Sequence, residues 1–295
     1  ATGDFSLGQV ISPPEEWTRV DRELEWPAPR LLHQGLPLVS PRGIMMNDAH
    51  DALWVGAPGN STYPARIIRF PIADGQVGAP SVFFMDSSIL IQAKWVMPTT
   101  INGQDVIIVP DQGEEDSNGM FTGVGAKVLI IPINPDGSAG MPATIWEGAP
   151  LVCPTGIALV GDYALITDPC AGPMISRSEL PSVKFPSSIL FALKLDGSRP
   201  PVSLYQGHPF TSMIGVCTAV PGTVLVNDTD AGRLDPTSSG GHPGFAPPAG
   251  AEKFIFSILG RHADLPVLGE PKRQPIYEEG PLAFSFSGIA ASDRI

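Results

Sequence analysis

Apolar residues in this chain come in short runs, rich in β-branched and aromatic side chains and punctuated by glycine, proline and Asx residues, the signature of strands and turns rather than helices. One pattern recurs in register: ATIWEGAPLVCPTG at 143–156, RLLHQGLPLVSPRG at 30–43, VSLYQGHPFTSMIG at 202–215 and PIYEEGPLAFSFSG at 275–288, with a degenerate copy, SVFFMDSSILIQAK, at 81–94. Each copy reads as a strand, a Gly-centred crossing, and a second strand opening on a small residue. A hairpin follows each of the four copies at 30–43, 81–94, 143–156 and 202–215: GIMMNDAHDALWVGAPGN from Gly43, WVMPTTINGQDVIIVPDQ from Trp95, GIALVGDYALITDPC from Gly156 and GVCTAVPGTVLVNDTDAG from Gly215. Their turns fall at Asn47-Asp48, Asn102-Gly103, Gly161-Asp162 and Pro221-Gly222. A third strand comes next in each unit, from Ala65, Ala126, Ser187 and Glu252, and the first three end in Asp-Gly hairpin turns.

The unit repeats at steps of about 51, 62, 59 and 73 residues, near the four-strand period of a propeller blade. The expectation is an all-β, single-domain β-propeller spanning 1–295. It has five four-stranded blades, the last built jointly from the C-terminal strand at 284–292 and N-terminal segments. Closure of that kind removes free sheet edges.

The 33 prolines and 32 glycines suit such a fold. No apolar run approaches the roughly 18 residues of a membrane span, and no secretory signal opens the chain. A start at Ala1 rather than Met reads as a trimmed N-terminus. The net charge of -12, with 18 Lys and Arg spread along the chain, argues against nucleic acid. A turn at Gly161-Asp162 places Cys153 opposite Cys170, at the separation of a cross-strand disulfide; two buried thiols are the alternative. Cys217 lies in an apolar strand and reads as core. Sequons at Asn60 and Asn227 offer glycosylation sites. Together these features point to the extracellular space or the secretory-pathway lumen.

Long segments at 59–64, 112–125, 171–186 and 231–250 follow the second strands and emerge on the face that carries the blade junctions. They either wall a pocket or decorate a rim. Asp111, Asp168 and Asp228 end second strands on that rim, where they either hold a cation jointly or cap turns by accepting backbone N–H groups. The channel mouth is expected to present Arg42, hydroxyls from Thr155 and Ser287, and apolar neighbours Trp95, Met213 and Phe286, with either Ala93 or Lys94 facing inward. Arg42 paired with a rim aspartate is the structural alternative. None of the five histidines occupies a catalytic pattern, and no G-x-S-x-G elbow, H-E-x-x-H helix or phosphate loop is present.

Through the inner hairpins, such as PTGIALVGDYALITD, and the junctions, the chain resembles the gluconolactonase and senescence-marker-protein superfamily, with its strictosidine-synthase-like and paraoxonase-like propellers. That resemblance implies a calcium site just before the Gly that opens each innermost strand. Here those places hold Arg42, Ala93, Thr155, Ile214 and Ser287, none an acidic or amide ligand. Within this group the profile is similar to the hetero-Diels-Alderases of fungal tropolonic sesquiterpenoid pathways, which join a tropolone quinone methide to a strained terpene alkene. What this implies is a metal-independent cycloaddition on a hydrophobic, oxygenated small molecule, with no cofactor. Arg42, helped by Thr155 or Ser287, would polarise the quinone methide carbonyl, and Met213, Trp95 and Phe286 would hold the alkene. Two other classes stay open: a calcium-dependent lactonase or esterase using the aspartate rim, and a non-catalytic binding propeller.

Overall fold

The structure is a computed structural model that describes residues 31–177, 180–206, 210, 212–218, 222–228, 252–262 and 265–274; for 175–177, 180–185, 252–257, 260–262 and 272–274 it describes the backbone alone. The chain divides into Ala1–Gln34, of which only 31–34 are described and have no regular structure, and Gly35–Ile295, which carries every strand. Among the described residues there is no helix, and none long and apolar enough to cross a membrane.

Four antiparallel sheets follow one another along Gly35–Ile295. The first holds β1 (Ile44–Met46), β2 (Ala52–Ala57) and β3 (Arg66–Ala73), with β4 (Gln76–Val77) and β5 (Ser81–Phe84) both paired to β3. The second is the meander β6 (Met97–Ile101), β7 (Gln104–Asp111), β8 (Lys127–Pro132), β9 (Ala143–Glu147). The third begins with β10 (Ile157–Val160) and β11 (Tyr163–Asp168). A separate hairpin of β12 (Met174–Arg177) and β13 (Leu180–Pro186) interrupts it, and β14 (Ile189–Lys194) and β15 (Val202–Gln206) complete it. The fourth runs through β16 (Met213–Cys217), β17 (Thr223–Asp228) and β18 (Glu252–His262), with β19 (Leu265–Leu268) and β20 (Lys272–Gln274) both on β18. The inner hairpins and third strands, and the outer strands at Ser81, Ala143 and Val202, fall where the sequence pattern places them, whereas 31–34, expected as the start of the strand of the copy at 30–43, has no regular structure, and the copy at 275–288 lies outside the described residues. The 171–186 segment differs, since its second half, LPSVKFP, forms a strand.

Period-two alternation explains the packing, because successive side chains on a central strand face opposite sheets. On β2, Trp54 packs with Ile107 and Val109 of the second sheet, whereas Val55 joins Ile68 and Phe70 on the other face. On β7, Ile108 turns instead toward Ile157, Ala164 and Ile166 of the third sheet. On β11, Tyr163 and Leu165 meet Met213, Val216 and Val226 of the fourth. Each fully buried Ile or Leu contributes roughly 1.5–3 kcal/mol. Four-stranded meanders stacked face to face, with β1 against β6 and β10 against β16, are propeller blades. The expected fifth blade, at 284–292 with the N-terminal segment, lies outside the described residues.

Turn chemistry follows composition. Asn102-Gly103 and Asp74-Gly75 both adopt left-handed φ at each residue, 51° and 80°, then 51° and 70°, as two-residue hairpins require.

Candidate functional site

The junction face is built on a repeated clamp. Asp111, Asp168 and Asp228, all with no exposed surface, end the second strands of blades two, three and four. Each turns back on the segment that leads into its own blade's innermost strand. Asp111 accepts hydrogen bonds from the N–H groups of Ile91 (2.8 Å), Gln92 (2.7 Å) and Gly113 (3.2 Å). Asp168 accepts from Val152 (2.7 Å), Cys153 (3.1 Å) and Cys170 (3.0 Å), and Asp228 from Ser212 (2.9 Å). Burial raises the pKa of Asp111 and pushes Asp168 up to about 6, against the opposing pull of these N–H donors. The aspartates therefore cap turns by accepting backbone N–H groups, as the turn-capping alternative has it. Among the described residues the one grouping with metal-ligand spacing is Cys153, Asp168 and Cys170, and its two sulfurs are joined in the expected disulfide, with Cα atoms 5.7 Å apart.

Several other expectations change. Thr155 is buried, its hydroxyl donates to the Cys153 carbonyl (2.9 Å) and accepts from Gln112 Nε2 (2.9 Å), so its proton is not offered to a ligand. Met213, with no exposed surface, belongs to the core between blades three and four, and Trp95, 2% exposed, to that between two and three. Neither lines the mouth, because the alternation that carries them inward also seats them between sheets. Asn227 is buried, and its amide oxygen accepts the Gly215 N–H (2.9 Å), which leaves no room for a glycan; Asn60 is exposed in a turn that its own side chain caps through Thr62 and Tyr63. Cys217 is a buried free thiol, as expected. Ser287 and Phe286 lie outside the described residues.

What the structure does bring together is Arg42 and Lys94. An isolated bridge pairs Ala93 with Asp111 and sends Ala93 into the core, so Lys94 takes the mouth side. Alternation about that bridge puts Gln92, Lys94 and Gln112 on one face. The Lys94 ammonium lies 5.2 Å from the Phe121 ring centroid, a cation–π contact. Gln92 Nε2 donates to Glu115 (3.1 Å), and Glu115 bridges Phe121 across the 112–125 loop. Burial pushes Lys94 down to about 8, the Arg42 guanidinium adds to this, and Glu115 opposes it. Arg42 is exposed, and neither cation makes a salt bridge among the described residues. Gln112 is 2% exposed, and its Oε1 has no donor because the Thr155 network fixes which end of the amide faces which way. Gln92, Gln112, Glu115 and Phe121 were not among the sequence candidates. Their only signal is position, directly before the second junction or inside the loop after Asp111.

The fold and this face define an all-β propeller with a two-cation junction mouth. No known protein family matches the chain, and neither does any curated protein. Among solved structures it is similar to the PQQ-bound aldose sugar dehydrogenase of Streptomyces coelicolor, at 16% identity over 79% of this chain and 81% of that one, TM-score 0.41. It is also similar to a gluconolactonase of Xanthomonas campestris, at 14% identity over 78% of this chain and 62% of that one, TM-score 0.41. A third is the inulosucrase of Halalkalicoccus jeotgali, at 12% identity over 81% and 72%, TM-score 0.44. Likenesses this distant assign no activity, and the propeller architecture rests on sheet order and register.

Proposed function

We propose that this chain is a secreted small-molecule enzyme of secondary metabolism that promotes a metal-independent cyclisation of the hetero-Diels–Alder type, with no cofactor. The observation that carries this reading is the pair of unpaired cations, Arg42 and Lys94, set beside Phe121 on a protein of net charge -12. Such a pair attracts an electron-rich oxygen, and an aromatic wall accepts a conjugated ring. Arg42 donates to the carbonyl of a heterodiene and withdraws electron density from it, which lowers the barrier to attack by an alkene. A preorganised donor of this kind is worth about 3–4 kcal/mol, and holding two reactants in attack geometry about 7–11 in the best cases. Ser287 and Phe286 remain proposed partners at the mouth, while Thr155 acts through Gln112 rather than on substrate. The substrates are hydrophobic, oxygenated small molecules. The Cys153–Cys170 disulfide supports an oxidising compartment.

The test is product formation from a quinone methide and a strained alkene, with and without chelator. Arg42→Ala is expected to cut turnover with the melting temperature unchanged, and undiminished turnover in that variant would remove Arg42 from the mechanism. Loss of activity to chelator, restored by calcium, would move the reading to the calcium-dependent lactonase.

A further inference from the structure

Three lysine side chains are described, those of Lys94, Lys127 and Lys194. Lys194 is paired with Asp196 at 3.1 Å, and Lys127 stands opposite Asp111 across β7 and β8. Lys94 is the one of the three whose ammonium lies over an aromatic ring. It is partly buried, it makes no salt bridge, and its charged neighbours are Arg42, from the segment before β1, and Glu115, from the 112–125 loop. Its backbone is held rigidly, since the Lys94 carbonyl accepts the Gly43 N–H at 2.7 Å. The side chain lies over Phe121, and Glu115 is fixed by Gln92. A desolvated lysine next to a second cation is the arrangement that frees an amine lone pair for attack on carbonyls.

We propose that Lys94 Nζ condenses reversibly with an aromatic or conjugated aldehyde or ketone at the mouth, forming an imine. This rests on the reading that the mouth receives a carbonyl compound, and goes beyond it by making the attachment covalent. The neutral amine adds its lone pair to the carbonyl carbon and the C=O π pair moves to oxygen, which takes up a proton. Glu115, at the same mouth, relays both nitrogen protons, the first to that alkoxide oxygen and the second to the departing hydroxyl. A C=N bond and one water result, with no oxidant or reductant, and hydrolysis reverses the step. The depressed basicity of Lys94 supports the assignment: with a pKa of about 8, roughly a tenth of the amine is neutral at pH 7, against under about 0.1% for an ordinary lysine.

Incubating the full chain with benzaldehyde and sodium cyanoborohydride, then mapping benzylated peptides, tests this. The expected result is modification of Lys94 ahead of Lys127 and Lys194, half-maximal near pH 8. Arg42→Met is expected to move that midpoint to higher pH, and Lys94→Arg to abolish the label there while the other lysines label as before. Modification spread over lysines according to their exposure, or an unlabelled Lys94 in the wild-type chain, overturns the proposal, and the wild-type map is decisive even if a variant fails to fold. The two readings fail separately. An unlabelled Lys94 with Arg42-dependent turnover sinks the imine alone, and a labelled Lys94 with turnover indifferent to Arg42 sinks the cycloaddition alone.

Discussion

Replacing Asp168 by alanine separates the clamp from the ion site directly. The carboxylate serves three backbone N–H groups, of Val152 at 2.7 Å, Cys153 at 3.1 Å and Cys170 at 3.0 Å. Cys153 is fully buried, so its orphaned donor costs about 1–3 kcal/mol; Val152 and Cys170 are partly exposed and each loses a bond worth about 0.5–1.5. The sum, about 2–6 kcal/mol, corresponds for a chain of 295 residues to a melting temperature lower by about 3–10 °C. Asp168→Asn keeps one acceptor and is expected to fall between. The assay is a thermal melt of wild type and both variants, each with added calcium and with chelator. A drop of under about 2 °C for the alanine variant would refute the clamp. So would calcium raising the wild-type melt but not the variant's, because the carboxylate would then be serving a cation.

The same group gives a pH dependence. Its folded pKa of about 6 lies above the unfolded value near 3.8, so the native state binds the proton more tightly; its ionisation costs stability as pH rises from about 4 to about 6, a loss that Asp168→Asn should abolish in denaturant titrations across that window. On expression in a glycosylating host, Asn60→Gln is expected to remove the glycan found at these two sequons, and peptide mapping should find Asn227 unmodified. Gly56→Thr would place a Cβ 2.8 Å from the Lys94 carbonyl oxygen, with backbone on every near side; it should lower the melting temperature and reduce benzaldehyde labelling of Lys94, and a variant that melts and labels like wild type would contradict the close approach.

Much of the fold was legible because blade strands are a local matter. Alternation, Asp-Gly and Asn-Gly turns and the repeated junction each depend on neighbours in sequence, and the Gly161-Asp162 turn alone set the β10–β11 register that joins Cys153 to Cys170. The site was less legible because it depends on contacts between blades. Thr155 looked like a free hydroxyl until Gln112, 43 residues earlier, was seen to engage it. Asn227 looked like a sequon because a strand side chain that serves a neighbouring N–H carries no sequence mark of doing so. The choice between Ala93 and Lys94 turned on one bridge, Ala93 to Asp111, in the blade whose junction copy is degenerate.

The mouth itself traces to a departure from the repeat in blade one. In blades three and four the N–H of the glycine that opens the innermost strand is served from within the blade, Gly156 by Thr167 Oγ1 and Gly215 by Asn227 Oδ1, both at 2.9 Å. Blade one has Gly56 at the matching position and Ala57 where blades three and four carry Asp168 and Asp228, so it has neither the side-chain acceptor nor the clamp. Its Gly43 N–H turns instead to the Lys94 carbonyl of blade two, at 2.7 Å, an approach possible only because neither Gly43 nor Gly56 has a Cβ. Arg42, next to Gly43, and Lys94 are thereby drawn together although neither makes a salt bridge among the described residues. Two like charges at one mouth oppose folding unless something else requires them there. The residues that depart from the structural repeat are thus the ones that bring the two cations of the proposed site together, in keeping with the way a consistent pattern yields at functional sites.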